Sequence, residues 1–454
     1  MGAPLRNAAA ILAAAPLLVW PALYNGYPLL FSDTGGFLAQ TLVPLMLWDK
    51  PWVYGPFLHL FHWRVSLWLP LAAQALVVSH MLWLTGRVIW GARPLRHLLL
   101  CLFAGALTTA PFTVALLMPD VFTAPVVLAL FLLGFGAERL GRAETLWVGI
   151  VAAIGIAAHL AHLPLAAALA ALGLVLTFRL RPALRMAAPI AAAIGLLLAT
   201  NLAGHGVLSL SPHGATFLLA RLQADGPAAR TLAALCPERG WTLCAGRDRL
   251  PMDSDMFLWD PASPLNRDAA GNARFLAGAV LSGEAREIVR ETLRREPLPV
   301  LRAMVANTLR QAVMAGAGDV IAQPRADIEA ATIVRIREFL PARELAAWEA
   351  SLQAQRVLAD RLMPLAPLHA AVLALAAAGA VVAAIRAAWR GDVRAVALVL
   401  CVVGGALANA FVSGALSKPH HRYQARIAWL IPVAAVIAWP APRPVRGRRL
   451  VFSA

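Results

Sequence analysis

Residues 25–40, NGYPLLFSDTGGFLAQ, follow the first apolar segment of the chain and carry a single acidic residue, Asp33. The apolar segment before them, 8–24, has the length of a short membrane-spanning helix, which places Asp33 at the membrane surface. An ionisable residue at a membrane is costly to desolvate and is a functional candidate by default. Asp33 would equally suit the cap of a short interfacial helix that begins at Thr34, because Ser and Asp are favoured caps. These residues alone leave both interpretations open.

The composition places the chain among membrane proteins. Of its 454 residues, 60% are apolar and only 14% are charged, and the apolar residues form long uncharged runs. This pattern predicts an all-α, multi-pass membrane protein. The net charge of +16 would suggest a nucleic-acid partner in a soluble chain, but cytoplasmic loops of membrane proteins also collect arginine and lysine. We therefore assign the charge to topology, and expect a lipid bilayer and no nucleic acid as partner.

The distribution of arginine favours about ten transmembrane helices with both termini in the cytoplasm. Arginine clusters occupy the short loops assigned inside, whereas the outer turns near Pro119 and at 159–164 have none, which is the positive-inside pattern. The exception is 417–426, SKPHHRYQAR, a basic segment that falls outside on this count. Either the helix before it does not cross, or a short basic outer loop is tolerated, or the loop has a function. The predicted spans are 8–24, 66–85, two within 98–136, two within 146–178, 186–201, 365–385, 395–416 and 427–442.

This topology divides the chain into three regions. They are an N-terminal membrane region, 1–202, with a first outer loop at 25–65, an extracytoplasmic domain, 203–364, and a C-terminal membrane region, 365–454. The middle region alternates apolar and charged residues at three- and four-residue spacing, so we expect it to be mainly helical.

The four cysteines suggest one disulfide and no zinc site. Cys236 and Cys244 lie in a turn-rich part of the middle region, which on this topology is in an oxidising compartment where disulfides persist. We therefore expect them to form a bond that restrains the loop leading to Trp259. Cys101 and Cys401 lie inside apolar runs, and no second pair has the spacing of metal ligands.

Three short motifs share the predicted outer face: SDTGGF at 32–37, MPD at 118–120 and HRYQAR at 421–426. With these motifs and this helix layout, the chain resembles the GT-C superfamily of integral-membrane glycosyltransferases, particularly the bacterial relatives of family 39. The resemblance implies a GT-C-like fold in which an acidic residue of the first outer loop serves catalysis. It also implies that basic outer-loop residues bind the phosphate of a polyprenyl-phosphate sugar donor.

Carried over to this sequence, the resemblance implies a role for each outer-face residue. Asp33 would be the catalytic base, and Asp120 would position the acceptor or a metal. The residues implied for the donor phosphate are Arg422, Tyr423, Arg426 and His421, and the auxiliary residues on the same face are His159, His162 and Lys418. Many relatives have paired acids and a tyrosine in the first loop, whereas this chain has Ser32, Asp33 and Phe37 there. No cofactor is assigned, and a divalent metal stays open.

The implied activity is transfer of a sugar to a glycan, lipid or protein acceptor, with the active site facing the periplasm from the bacterial cytoplasmic membrane. A transporter or flippase of lipid-linked glycans is the main alternative, and it would need polar groups along the spans. The spans offer few: Gln74, His80, Asn201 and Asn409. A noncatalytic assembly protein, whose outer domain binds a partner, is the second alternative.

Overall fold

The computed structural model describes residues 2–439, and in that part of the chain the regular secondary structure is helical apart from two isolated β-bridges. The all-helical architecture expected from the composition is confirmed. The α-helices of the N-terminal half are Ala3–Ala14, Trp20–Asn25, Ser32–Leu42, Tyr54–His62, Trp68–Trp90, Pro94–Leu107, Ala110–Ala115, Thr123–Phe131, Arg142–Ala158, His162–Thr177 and Leu180–His205. The α-helices that follow are Gly214–Ala224, Pro227–Arg239, Ser254–Trp259, Ala277–Val280, Ser282–Arg295, Pro297–Val313, Gly318–Ile321, Arg325–Ile328, Val334–Phe339, Ala342–Glu349, Leu358–Leu362, Ala366–Trp389, Val393–Leu416, His421–Ala428 and Leu430–Ala438.

Five of the described helical segments are long and apolar enough to cross a membrane, judged by length and composition. They are Trp68–Trp90, Pro119–Arg139, Leu180–His205, Leu358–Trp389 and Val393–Leu416. Three shorter apolar helices accompany them, at Ala3–Leu18, Pro94–Leu107 and His162–Thr177. The membrane character of the chain is supported, while ten crossings remain a prediction.

Two predicted spans are interrupted. The first, 8–24, contains a 3-10 turn at Pro16–Leu18, because a proline inside a helix removes a backbone hydrogen bond and clashes with the preceding turn. The last, 427–442, is divided between His421–Ala428 and Leu430–Ala438. The end of that predicted span, with the arginines that follow it, lies outside the described residues.

The helical segment Pro119–Arg139 lies at the centre of the membrane region. Of the residues in its most apolar stretch, 89% are buried inside the protein, compared with 17% in the corresponding stretch of Leu358–Trp389. A helix that is apolar on all sides is stable either inside a protein or in lipid, so the first is a central helix and the second a peripheral, lipid-facing one. Asp120 is in the first turn of the central helix, where its neighbours come from several other segments.

The first outer loop lies alongside the start of the central helix. Leu29 forms a parallel β-bridge with Leu116, and the Thr34 hydroxyl donates a hydrogen bond to the carbonyl of Leu117 at 3.0 Å. These bonds bring the two segments that carry Asp33 and Asp120 side by side, although the two residues are far apart in sequence.

Residues from the C-terminal part of the middle region hold this loop from the other side. The side chain of Gln353 accepts from the Leu30 N–H at 3.1 Å and donates to the Leu30 carbonyl at 2.8 Å. The Thr332 hydroxyl accepts from the Gly35 N–H at 2.8 Å. A Cβ atom at Gly35 would lie 2.0 Å from the carbonyl oxygen of Ala331, so this close approach requires glycine.

The middle region, 203–364, contributes to two different cores. Apolar side chains within 219–300, including Phe257, form a core of their own. Those within 317–362 pack into the main core together with the membrane helices. The sequence predicts one extracytoplasmic domain here, whereas the structure divides the region between two cores. The part at 317–362 contacts the first outer loop.

Cys236 and Cys244 form a disulfide within the core at 219–300. We expect the double variant Cys236→Ser/Cys244→Ser to lose about 3 kcal/mol of unfolding free energy in this core, because the bond restricts the unfolded chain. Limited proteolysis of the folded protein should then cut the loop after Cys244 faster than in the wild type. The single variant Cys236→Ser should behave like the double variant, and equal cleavage rates in all three proteins would contradict the expectation.

Candidate functional site

A cluster of charged side chains surrounds the first turn of the central helix. It joins Asp120, on that helix, to Arg422 and Arg426, on the short helix His421–Ala428. The two arginines are four residues apart, so they share one face of their helix. Both reach Asp120 because this face packs against the start of the central helix.

Arg426 is the most completely bonded member of the cluster. Its Nη1 donates to Oδ1 of Asp120 at 3.2 Å, and its Nε and Nη2 donate to Oδ1 of Asn409 at 3.1 and 2.9 Å. Nη2 also donates to the Ser413 hydroxyl at 3.1 Å, and Nε2 of His159 lies 3.3 Å from Nη1. Arg426 and Asp120 are each 1% exposed, and a buried charge of this kind is stable only when it is paired and hydrogen-bonded.

Arg422 is buried as well, but its bonding is incomplete. Its Nη1 lies 3.7 Å from Oδ2 of Asp120, which is too long for a hydrogen bond. Neither of these two buried atoms has a hydrogen-bond partner among residues 2–439. The guanidinium carbon lies 4.1 Å from the ring centre of Phe31 and 5.1 Å from that of Tyr423, within cation–π range. The unmatched polar atoms mark a position that suits a polar ligand.

Asp33 is paired with a lysine. Nζ of Lys50 lies 3.2 Å from Oδ1 of Asp33 and also contacts the carboxylate of Asp49. Burial acts to lower the pKa of Lys50, but Asp33 and Asp49 together raise it above its ordinary value. Nζ is also 5.9 Å from the ring centre of Trp259 and 6.0 Å from that of Phe37. The lysine therefore stays charged and fixes Asp33 beside an aromatic surface of the middle region.

The two carboxylates act on the same arginine. Burial acts to lower the pKa of Arg422, but the negative charges of Asp120 and Asp33 raise it above its ordinary value. Asp33 also raises the pKa of Tyr423, in the same direction as burial. Arg422 also packs on the ring of Phe31, two residues before Asp33, so the Asp33–Lys50 pair and the Asp120–arginine group lie in neighbouring parts of one site.

Asp33 and Asp120 differ in accessibility. The side chain of Asp33 is 36% exposed, whereas that of Asp120 is 2% exposed. Asp33 is not a cap either, because its helix, Ser32–Leu42, begins one residue earlier with Phe31 at the N-cap position. The capping interpretation is therefore wrong. The carboxylate of Asp33 is therefore accessible, whereas that of Asp120 is enclosed.

Three residues expected on this face are not available to the cluster. Nδ1 of His421 accepts from the backbone N–H of Gly316 at 3.1 Å, which turns the exposed imidazole ring away from the buried arginines. Lys418 forms ion pairs with acidic residues of the middle region. His162 is close to Asp120, but its ring nitrogens are bonded to the Thr123 hydroxyl and the Gly155 carbonyl, each at 2.7 Å. These contacts do not support the phosphate-binding or auxiliary roles that the resemblance implies for them, and those roles stay predictions.

The segment that carries the arginines is tied to the middle region by a second set of ion pairs. Lys418 lies 2.8 Å from Oδ2 of both Asp253 and Asp255, and Nε2 of His420 is 3.1 Å from Asp255. Although burial acts to raise it, hydrogen bonds from His420 and Lys418 lower the pKa of Asp255 to about 2. Asp319 accepts a hydrogen bond from the backbone N–H of Arg422 at 3.1 Å. The bond to Asp319 is made by the arginine helix itself, whereas the ion pairs are made by residues that precede it.

Sequence reasoning did not find Lys50, Asn409 and Ser413. Lys50 is one of only two lysines in the chain and is predicted to be outside, a signal that by itself does not connect it with Asp33. Asn409 is one of the few polar residues within the predicted spans, and polar groups at such depth are retained for a partner. Its partner, Arg426, becomes evident only from the packing of the two helices.

A metal ion does not fit this arrangement. Within residues 2–439, no group of three or more His, Cys, Asp or Glu side chains is placed to hold one. Asp33 faces Lys50, and Asp120 faces two arginines, whereas a divalent cation prefers several free oxygen ligands. We therefore derive no chemical step through a metal.

No family model, curated protein or solved structure matches this chain.

Proposed function

We propose that this protein is a membrane glycosyltransferase of the GT-C type, which moves a sugar from a polyprenyl-phosphate donor to an acceptor on the outer face of the bacterial cytoplasmic membrane. The observation that carries the proposal is that an accessible carboxylate, Asp33, and a buried arginine, Arg422, lie near the same end of the central helix. Nη1 of Arg422 has no hydrogen-bond partner among the described residues. A base and an anion-binding group at one end of a central membrane helix are the two parts that such a transfer needs.

In the proposed reaction, the oxygen of the acceptor hydroxyl attacks the anomeric carbon of the sugar, and the carboxylate of Asp33 accepts the proton of that hydroxyl. The bond between that carbon and the phosphate oxygen breaks, and its electron pair leaves with the lipid phosphate. Arg422 stabilises the negative charge of the departing phosphate, in a site where the surrounding protein makes the interaction stronger than in water. Lys50 holds the carboxylate of Asp33 in position through their ion pair.

The two arginines have different roles in this proposal. Arg426 already donates to Asp120, Asn409 and Ser413, so it holds the site together and has little capacity left for a ligand. Arg422 keeps an unpartnered Nη1, so it binds the phosphate. The resemblance implies that both arginines bind the phosphate, and the hydrogen-bond pattern supports this role only for Arg422.

We expect Arg422→Ala to weaken donor binding about 10- to 150-fold, because a hydrogen bond to a charged group contributes about 1.5–3 kcal/mol. Arg422→Lys should give a smaller loss, since lysine keeps the charge but lacks the planar fork of donors. Titration of the purified variants with a polyprenyl-phosphate sugar measures both effects. In these variants Asp120 keeps its ion pair with Arg426, so its buried charge stays compensated and the fold should be retained.

Lys418→Ala is the matched control for this titration. It removes a positive charge from the same segment, but Lys418 pairs with Asp253 and Asp255 outside the cluster. Its donor affinity should stay close to that of the wild type. Wild-type affinity in Arg422→Ala would show that the basic segment anchors the helix at the membrane surface and does not hold the donor.

The proposed activity is tested by incubating the purified protein, in lipid bilayers, with a panel of radiolabelled polyprenyl-phosphate sugars and cell-envelope acceptors. We expect release of the lipid phosphate and appearance of the label on an acceptor, in wild type but not in Asp33→Asn. Movement of intact labelled lipid across the bilayer without cleavage would instead identify a flippase. Neither cleavage nor movement with the whole panel would favour a noncatalytic assembly protein.

A further inference from the structure

An open groove of about 720 Å³ lies between two apolar helices, away from the charge cluster. Its walls are the helices Arg142–Ala158 and Leu180–His205, and Leu133 contributes to its floor. The lining is mostly apolar, with Arg142 and Arg185 as its two charged residues. The volume is in the range of pockets that hold small ligands, about 300–1,000 Å³.

Both arginines of the groove are exposed and lack a partner. Within residues 2–439, neither guanidinium group forms an ion pair or a hydrogen bond. Nearby basic side chains are occupied: Arg87 forms two hydrogen bonds with Glu144 at 2.6 Å, and Arg139 donates to the carbonyl of Val88 at 2.8 Å. Unpaired positive charge is therefore concentrated at the mouth of the groove.

The apolar part of the groove extends away from these charges. Along the first wall it runs from Arg142 past Gly149 to Ala153, about 16 Å at the rise of an α-helix. A Cβ atom placed on Gly149 would meet no atom within 4 Å, so the space beside it is open. This shape, a positive mouth followed by a long apolar channel, matches a lipid with a negative headgroup.

The groove is also far from the candidate site. Arg142 begins the 17-residue helix Arg142–Ala158, and His159, which contacts Arg426 in the charge cluster, follows the end of that helix. The two ends are about 25 Å apart at 1.5 Å per residue. The mouth of the groove is thus at the opposite membrane face, which the arginine distribution predicts to be cytoplasmic.

We propose that this groove binds an anionic phospholipid, with its phosphate held by Arg142 and Arg185 and one acyl chain lying past Gly149 towards Ala153. Arginine forms charge-assisted, often bidentate hydrogen bonds with phosphate, and the cytoplasmic leaflet supplies anionic lipids. The proposal is independent of sugar transfer, because neither arginine belongs to the charge cluster.

Lipid retention by the detergent-purified protein tests the headgroup site. Native mass spectrometry after addition of phosphatidylglycerol, phosphatidylcholine or polyprenyl phosphate should show preferential retention of phosphatidylglycerol. Arg142→Ala and Arg185→Ala should each weaken that retention by about tenfold, the effect expected for one charged hydrogen bond. Arg181→Ala, on the same helix as Arg185 but outside the groove lining, should have no effect.

A second pair of variants tests the acyl-chain channel without changing charge. Gly149→Leu fills the open space in the groove and should reduce phosphatidylglycerol retention. Gly195→Leu, at an equally open position outside the groove lining, should leave it unchanged, which separates blocking of the groove from a general effect of a larger side chain. Equal retention of phosphatidylcholine, stronger retention of polyprenyl phosphate, or normal phosphatidylglycerol retention in Gly149→Leu would each overturn the proposal.

Discussion

Asp120→Asn should lower the free energy of unfolding by about 3–5 kcal/mol, because removing one partner of a buried ion pair leaves the remaining charge uncompensated. Asp120 lies 3.2 Å from Arg426 and 3.7 Å from Arg422, and it is the only carboxylate within ion-pair distance of either arginine among residues 2–439. Asparagine keeps the shape of the side chain, so the decrease in unfolding free energy measures the effect of the lost charge and not of a change in packing. The resemblance implied that Asp120 positions the acceptor or a metal, a role that does not by itself predict this effect on stability.

The measurement is denaturant unfolding of the purified protein in mixed micelles. Glu329→Gln is the control, because its partner Arg325 forms an i,i+4 pair in which both side chains are partly exposed. Such a surface pair contributes at most about 1 kcal/mol. A double-mutant cycle of Asp120→Asn with Arg422→Gln should show coupling between the two sites. If Asp120→Asn were no more destabilising than Glu329→Gln, the buried pair would not be holding the cluster together.

Asp33→Asn should reduce sugar transfer by about 10²–10⁴-fold, the usual contribution of a general base, while donor binding changes little. Asparagine cannot accept the proton of the acceptor hydroxyl, yet it preserves the shape of the side chain. Arg422, which binds the phosphate in the proposed mechanism, keeps its contacts with Phe31, Tyr423 and Asp120 in this variant. The separation of turnover from donor affinity identifies a group that acts in the chemical step.

Asp49→Asn is the matched control for Asp33→Asn. Asp49 is the other carboxylate on Lys50, so its removal perturbs the same lysine without removing the proposed base. We expect a much smaller loss of turnover in Asp49→Asn. Equal losses in the two variants would mean that the charge balance around Lys50 matters and that Asp33 is not the base. Full turnover in Asp33→Asn would reject its role altogether.

The sequence predicted which segments lie near the site, but it did not predict which side chains within the site bond to each other. Alternation of arginine-rich and arginine-free turns put Asp33, Asp120 and the segment 417–426 on one predicted face, since the positive-inside rule needs no knowledge of helix packing. That same rule singled out the basic segment as an exception, and this segment supplies both arginines of the cluster. It could not show that Lys50 joins Asp33, because this pairing depends on how the loop between them folds.

The features that can be predicted without the fold are local ones. Apolar runs and prolines determine where helices form, and the short separation of Cys236 and Cys244 allows them to bond with little rearrangement of the chain. The burial of the site residues depends on tertiary structure: Asp120 and Arg426, 306 residues apart in sequence, are buried against each other, whereas Asp33 remains accessible. Burial and the supply of hydrogen-bond partners depend on all the segments packed around a side chain, and only the folded protein specifies them.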